Sequence, residues 1–154
     1  MEFSKVAVAL DMDESSIETL SQIKKLNIPK NTEIHLVYVF EYATGSFDFN
    51  IVIPPSPDDI DKIQLIMAEK MEALKPLFGL ENHSKVVCKC IVSGNAKQEF
   101  LNYADSVQAD LIIAASKERK GFLGLFESSF TSFLNKFSRA NIVILRPKPV
   151  YNVG

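Results

Sequence analysis

Few residues in this chain of 154 have the type and spacing that chemistry requires. Asp11 follows a short apolar run, and a carboxylate at a strand end can hold a ligand's donor or cap the next helix. Lys117, Glu118, Arg119 and Lys120 bring three positive charges and one negative into four positions, with Gly121 and Gly124 close behind. Such a stretch can meet a phosphate, although most charge runs are solvated loops. Ser128 and Ser129 precede a helical pattern that either hydroxyl can cap. His35 and His83 are the only histidines, and neither has a visible acid–base partner. Cys88 and Cys90 flank Lys89, which puts both thiols on one face of a strand. A bridge at that spacing would be strained, and zinc needs about four ligands. No Gly-x-Ser-x-Gly elbow, Walker loop or His-Glu-x-x-His helix is present. Neither a catalytic set nor a metal site is therefore expected.

The elements that must position these residues alternate. Lys5–Leu10 is a continuous apolar run of the kind that is buried on both faces of a sheet. Ser15 and Glu18 have capping-box spacing, and Ile17, Leu20, Ile23 and Leu26 follow with helical period until Pro29 and Asn31. Glu33–Val39 reads as a second strand. Ser56 and Pro57 start a long helix, whose inner face is marked by Ile60, Ile63, Met67, Met71, Leu74 and Phe78. Lys85–Val92 is a third strand, and Ala96–Val107 a helix with Phe100, Leu101, Ala104 and Val107 inward. Asp110–Ala115 is a fourth strand, a helix capped by Ser128 or Ser129 runs through Phe137, and Asn141–Leu145 closes the pattern. The irregular stretch 41–57 leaves the second strand, and Phe47, Phe49 and Ile51 are expected to fold over the neighbouring cleft. Phe122, Leu123, Leu125 and Phe126 are expected to tuck the later loop onto the sheet.

Five strands alternating with four helices predict a single α/β domain over residues 1–154, with a parallel sheet and helices on both faces. Ligands of such sheets bind beyond the carboxyl ends of the strands. The candidate surface is therefore residues 11–14, 39–42 and 115–129.

Composition excludes several classes. Hydrophobic residues make up 47% and charged residues 23%, the balance of a globular chain and not of a disordered one. A net charge of −2 supplies no basic field for nucleic acid, and no apolar run approaches membrane-spanning length. Met1–Lys5 lacks signal-peptide features, so a cytoplasmic location is expected, with neither nucleic acid nor membrane as partner.

The residues at the three candidate places resemble the universal stress protein family, over Val6 to Pro147. The strand ending at Asp11, the segment Leu36–Glu41, the turn Ser93–Ala96, and Asp110–Ala115 followed by a serine-capped helix and Ile142–Pro147 carry the likeness. The resemblance implies a Rossmann-like sheet of order 3-2-1-4-5. It also implies an adenine-nucleotide cleft, with Asp11 at the adenosine end and Val39 beside it. Family members that bind ATP carry Gly, two residues, Gly, nine residues, then Gly followed by Ser or Thr. The matching positions here are Ala115, Glu118, Ser128 and Ser129, so the three glycines are missing and only the closing hydroxyl remains. Glu118 is the gravest departure, because like charges ~4 Å apart repel by about 4 kcal/mol at an effective dielectric near 20. Lys117, Arg119 and Lys120 oppose it.

In the implied order the last strand is an edge, and Ile142, Val143, Ile144 and Leu145 carry no charge to discourage pairing. A homodimer through this strand is expected, as in relatives. The resulting expectation is a homodimeric, non-enzymatic regulatory or protective protein of the stress response, with unidentified protein partners. It would lack the family's usual ATP motif and have no obligatory cofactor. The alternative is a switch that binds ATP or AMP through a remodelled 115–129 loop.

Overall fold

Five apolar segments become the strands of one sheet in the computed structural model, which describes residues 3–42, 54–116 and 129–148. They are β1 (Lys5–Leu10), β2 (Glu33–Glu41), β3 (Val86–Ser93), β4 (Leu111–Ala115) and β5 (Asn141–Leu145). The order is β3-β2-β1-β4-β5, every pairing is parallel, and the order reverses beside β1. The helices are α1 (Glu14–Leu20), α2 (Pro57–Leu74), α3 (Ala96–Ser106) and α4 (Ser129–Phe137). This is the doubly wound α/β architecture that the alternating pattern and the resemblance predict.

Because successive strand residues face opposite sides, each strand builds two cores. Val6, Val8, Leu10, Ile34, Leu36, Leu111 and Ile113 pack on one face with Leu20, Met71, Leu74 and Phe78. Ala7, Val37, Ile112 and Ala114 pack on the other with Phe100 and Ala104 of α3 and Leu134 of α4. The second face carries alanines where the first carries valine, leucine and isoleucine. That difference in volume leaves room under α3 and α4.

Local chemistry sets the helix starts. The Ser56 hydroxyl accepts from the Asp59 N–H at 3.2 Å, with Pro57 in the first helical position, as the sequence predicts. The first helix departs from expectation. Its cap is Asp13, which accepts from the Ser16 N–H at 2.8 Å, and not Ser15. The ionised carboxylate also takes the Ser16 hydroxyl at 3.0 Å, so it offers two acceptors where Ser15 would offer one. The α-helix ends at Leu20, a 3-10 turn continues to Leu26, and Asn27 stops it in the left-handed region at φ 50°. Phe78 likewise belongs to a separate 3-10 turn, Pro76–Phe78, though it is buried in the same core as Met71. Among the described residues, no helix is long and apolar enough to cross a membrane.

Asp110 locks the amino end of the sheet. Its carboxylate accepts from the Ser4 N–H at 2.8 Å, the Lys5 N–H at 3.0 Å and the Ser4 hydroxyl at 3.1 Å. Burial pushes its pKa up, but these donors prevail and hold it below the ordinary aspartate value. Asp110→Ala should cost about 1.5–3 kcal/mol at pH 7, the scale for hydrogen bonds to a charged group. A lowered folded pKa contributes stability above the unfolded value and loses it as pH falls through the folded one. Urea melts of both proteins should therefore converge as the pH falls below the ordinary aspartate value and through the lowered folded one. A gap that persists there would show that the carboxylate's charge is not responsible.

Candidate functional site

Beyond the carboxyl ends of β1, β2 and β4, the described residues line an open cleft of about 510 Å³. It lies where the strand order reverses, as expected for a doubly wound sheet. Its floor is made of strand residues on the α3/α4 side, Ala9, Val37, Val39 and Ala114. Phe100 of α3 and Phe130 of α4 form the wall, edge to face with centroids 5.6 Å apart. Such a cleft joins an apolar floor and wall to polar groups that can orient a small ligand.

Four of the seven expected site residues meet at this cavity: Asp11, Val39, Ala115 and Ser129. Lys117, Glu118 and Ser128 lie outside the described residues, as do Phe47, Phe49, Ile51 and the aromatic residues of the later loop. Asp11 and Asp13 divide two tasks. Asp13 caps α1 while Asp11 lines the cavity. Ala115, which stands where the family motif has its first glycine, packs partly against the core of the opposite face. Ile142, Val143, Ile144 and Leu145 form β5, apart from the cavity lining.

Glu41 falls within the candidate surface 39–42, whereas sequence reasoning missed Lys97 as a lining residue. Glu41 stands two positions past Val39 and so shares its strand face. Its carboxylate accepts from the Ala96 N–H at 2.7 Å, which ties the end of β2 to the first turn of α3. Asn95 completes that helix start by accepting from the Gln98 N–H at 3.3 Å. Tyr38 also lines the cavity, and burial first, then the charges of Asp11 and Cys90, push its hydroxyl's pKa up. It therefore remains a neutral donor at physiological pH. No histidine or cysteine is among the described lining residues.

The histidine with no visible partner in the sequence has two. His35 Nε2 lies 2.9 Å from Glu33 Oε2 and Nδ1 lies 2.8 Å from the Tyr103 hydroxyl. Placing the proton on Nε2 satisfies all three groups, with the tyrosine donating to Nδ1. Glu33 also pairs with Lys85; that hydrogen bond, followed by the one from His35, lowers its pKa to about 2. This cluster sits at the amino end of β2, with His35 about 13 Å and Glu33 about 20 Å of strand from Val39. It braces β2 against α3 and does not touch the cavity.

The two cysteines are free and share the α2 face of β3. Burial, then the charge of Glu72, pushes the Cys88 thiol up to about 11, which leaves almost no thiolate for redox or metal chemistry at neutral pH. Among the described residues, no three His, Cys, Asp or Glu side chains gather where they could hold a metal ion.

The model of the universal stress protein family matches residues 2–146. Among solved structures, the hypothetical protein MJ0577 shares 19% identity at a TM-score of 0.69, covering 97% of this chain and all of its own. A universal stress protein in complex with cAMP shares 15% at 0.63, over 96% of this chain and 100% of that one. A family protein from Arabidopsis thaliana with AMP bound shares 18% at 0.53, over 94% and 92%. Identities this low establish a common fold. No curated protein matches the chain.

Proposed function

This chain belongs to the universal stress protein family, and from that premise we propose that it is a non-enzymatic regulatory or protective protein of the stress response, whose cleft holds the adenosine part of a small ligand. One observation carries the proposal: Asp11, Val39 and Ser129, far apart in sequence, converge on a cavity of about 510 Å³ with a small-residue floor and an aromatic wall. That volume lies within the roughly 300–1,000 Å³ of small-molecule sites. Two structural neighbours were solved with cAMP and with AMP, ligands that share an adenosine unit. The missing glycines at 115, 118 and 128 argue against the family's way of binding a polyphosphate. The proposal includes a cytoplasmic homodimer paired through β5, acting on protein partners.

A switch that binds AMP or ATP is the second reading, favoured by those neighbours and by the cations Lys117, Arg119 and Lys120. Titration calorimetry with adenosine, AMP and Mg-ATP separates the two. We expect adenosine to bind with a dissociation constant in the micromolar range and Mg-ATP to bind at least tenfold more weakly. Micromolar or tighter Mg-ATP would establish the switch instead. Silence from all three ligands would remove the adenosine cleft altogether.

A further inference from the structure

The polar groups of the cleft differ sharply in sign. Among the described lining residues, Asp11 and Glu41 are carboxylates and Lys97 is the ammonium. We propose that the cleft selects a nucleoside over its phosphorylated forms and that Glu41 sets this selection. The proposal rests on the adenosine reading above and specifies which form of the ligand the site accepts.

Glu41 is held in place. Its hydrogen bond to the Ala96 N–H at 2.7 Å fixes the carboxylate against the first turn of α3, at the cavity wall. An anion entering a cleft beside a helix start ordinarily gains from the unpaired N–H groups there. In this chain Glu41 already takes the Ala96 donor and Asn95 takes the Gln98 donor. A phosphate therefore meets two donors already taken and the negative charge of Glu41, with the Lys97 ammonium as the opposing cation among the described lining residues. A nucleoside meets the same groups on better terms, since its amine and ribose hydroxyls donate hydrogen bonds that carboxylates accept.

The test compares the ratio of dissociation constants for AMP and adenosine in the unmodified protein and in Glu41→Gln. Glutamine keeps an oxygen for the Ala96 N–H, so the helix start is preserved while the charge is removed. The unmodified protein should prefer adenosine, and Glu41→Gln should shrink that preference by about tenfold, equal to ~1.4 kcal/mol. Because the effect is electrostatic, raising salt should narrow the ratio in the unmodified protein and leave it nearly constant in the variant. AMP binding more tightly than adenosine to the unmodified protein would overturn the proposal. So would a ratio that Glu41→Gln leaves unchanged. Adenosine and AMP both failing to bind either protein would instead overturn the adenosine reading beneath it, and the selection with it.

Discussion

Phe100→Ala should cost about 3–5 kcal/mol of stability, the largest loss expected from any single truncation on the α3/α4 face. Phe100 is 2% exposed. It is packed in the cluster of Ala7, Val37, Ala104, Ile112, Ala114 and Leu134, and it stacks edge to face with Phe130. Its neighbours on the sheet include alanines, which are too short to close over a missing ring. The hole therefore persists, and its cost adds to the lost transfer energy of the ring. Thermal unfolding should fall by roughly 10 °C or more for a domain of this size. Phe137→Ala is the control: that ring is 53% exposed and its loss should cost under about 1 kcal/mol. Equal losses from the two variants would show that the wall of the cleft is not a structural core. Because Phe100 also lines the cavity, any folded Phe100→Ala protein should lose adenosine binding as well.

Val143→Lys should convert the proposed dimer to monomer at micromolar concentration. β5 pairs with β4 on one side, and it is the last strand in the order. Asn141 is exposed and Ile142, Val143 and Ile144 are only half-buried. An apolar edge with open hydrogen-bonding groups invites a second strand, and a two-fold contact satisfies both copies at once. A lysine on each copy brings like charges and a long hydrated side chain to the edge, which disfavours pairing. Sedimentation should give a dimer for the unmodified protein and a monomer for the variant. Val143 also touches the core of the α1/α2 face, so circular dichroism must show the variant folded. A monomeric unmodified protein would defeat the proposal outright, and a folded variant that remains dimeric would move the interface away from β5.

The strands of this protein are written in its local pattern. A segment such as Lys5–Leu10, apolar at every inner position, satisfies two buried faces in no other common arrangement. The start of α2 was equally local, because Ser56, Pro57 and Asp59 lie within one turn and need no distant partner. Strand order did not follow from pattern. It came with the resemblance, since periodicity says which residues face a core and not which strand lies beside which. Local rules also competed at α1, where Asp13 and Ser15 could each cap a helix and the stronger acceptor prevailed. What only the tertiary structure decided are the partnerships of polar groups. His35 meets Tyr103, 68 positions away, and Glu41 meets Ala96, 55 positions away. Lys97 reaches the cleft only because α3 begins against the end of β2. Hydrophobic burial is non-directional and is encoded by residue type at a given period, so it can be read along the chain. A hydrogen bond needs two atoms within about 3 Å in the right direction, and that condition is set only when the whole sheet has brought distant segments together.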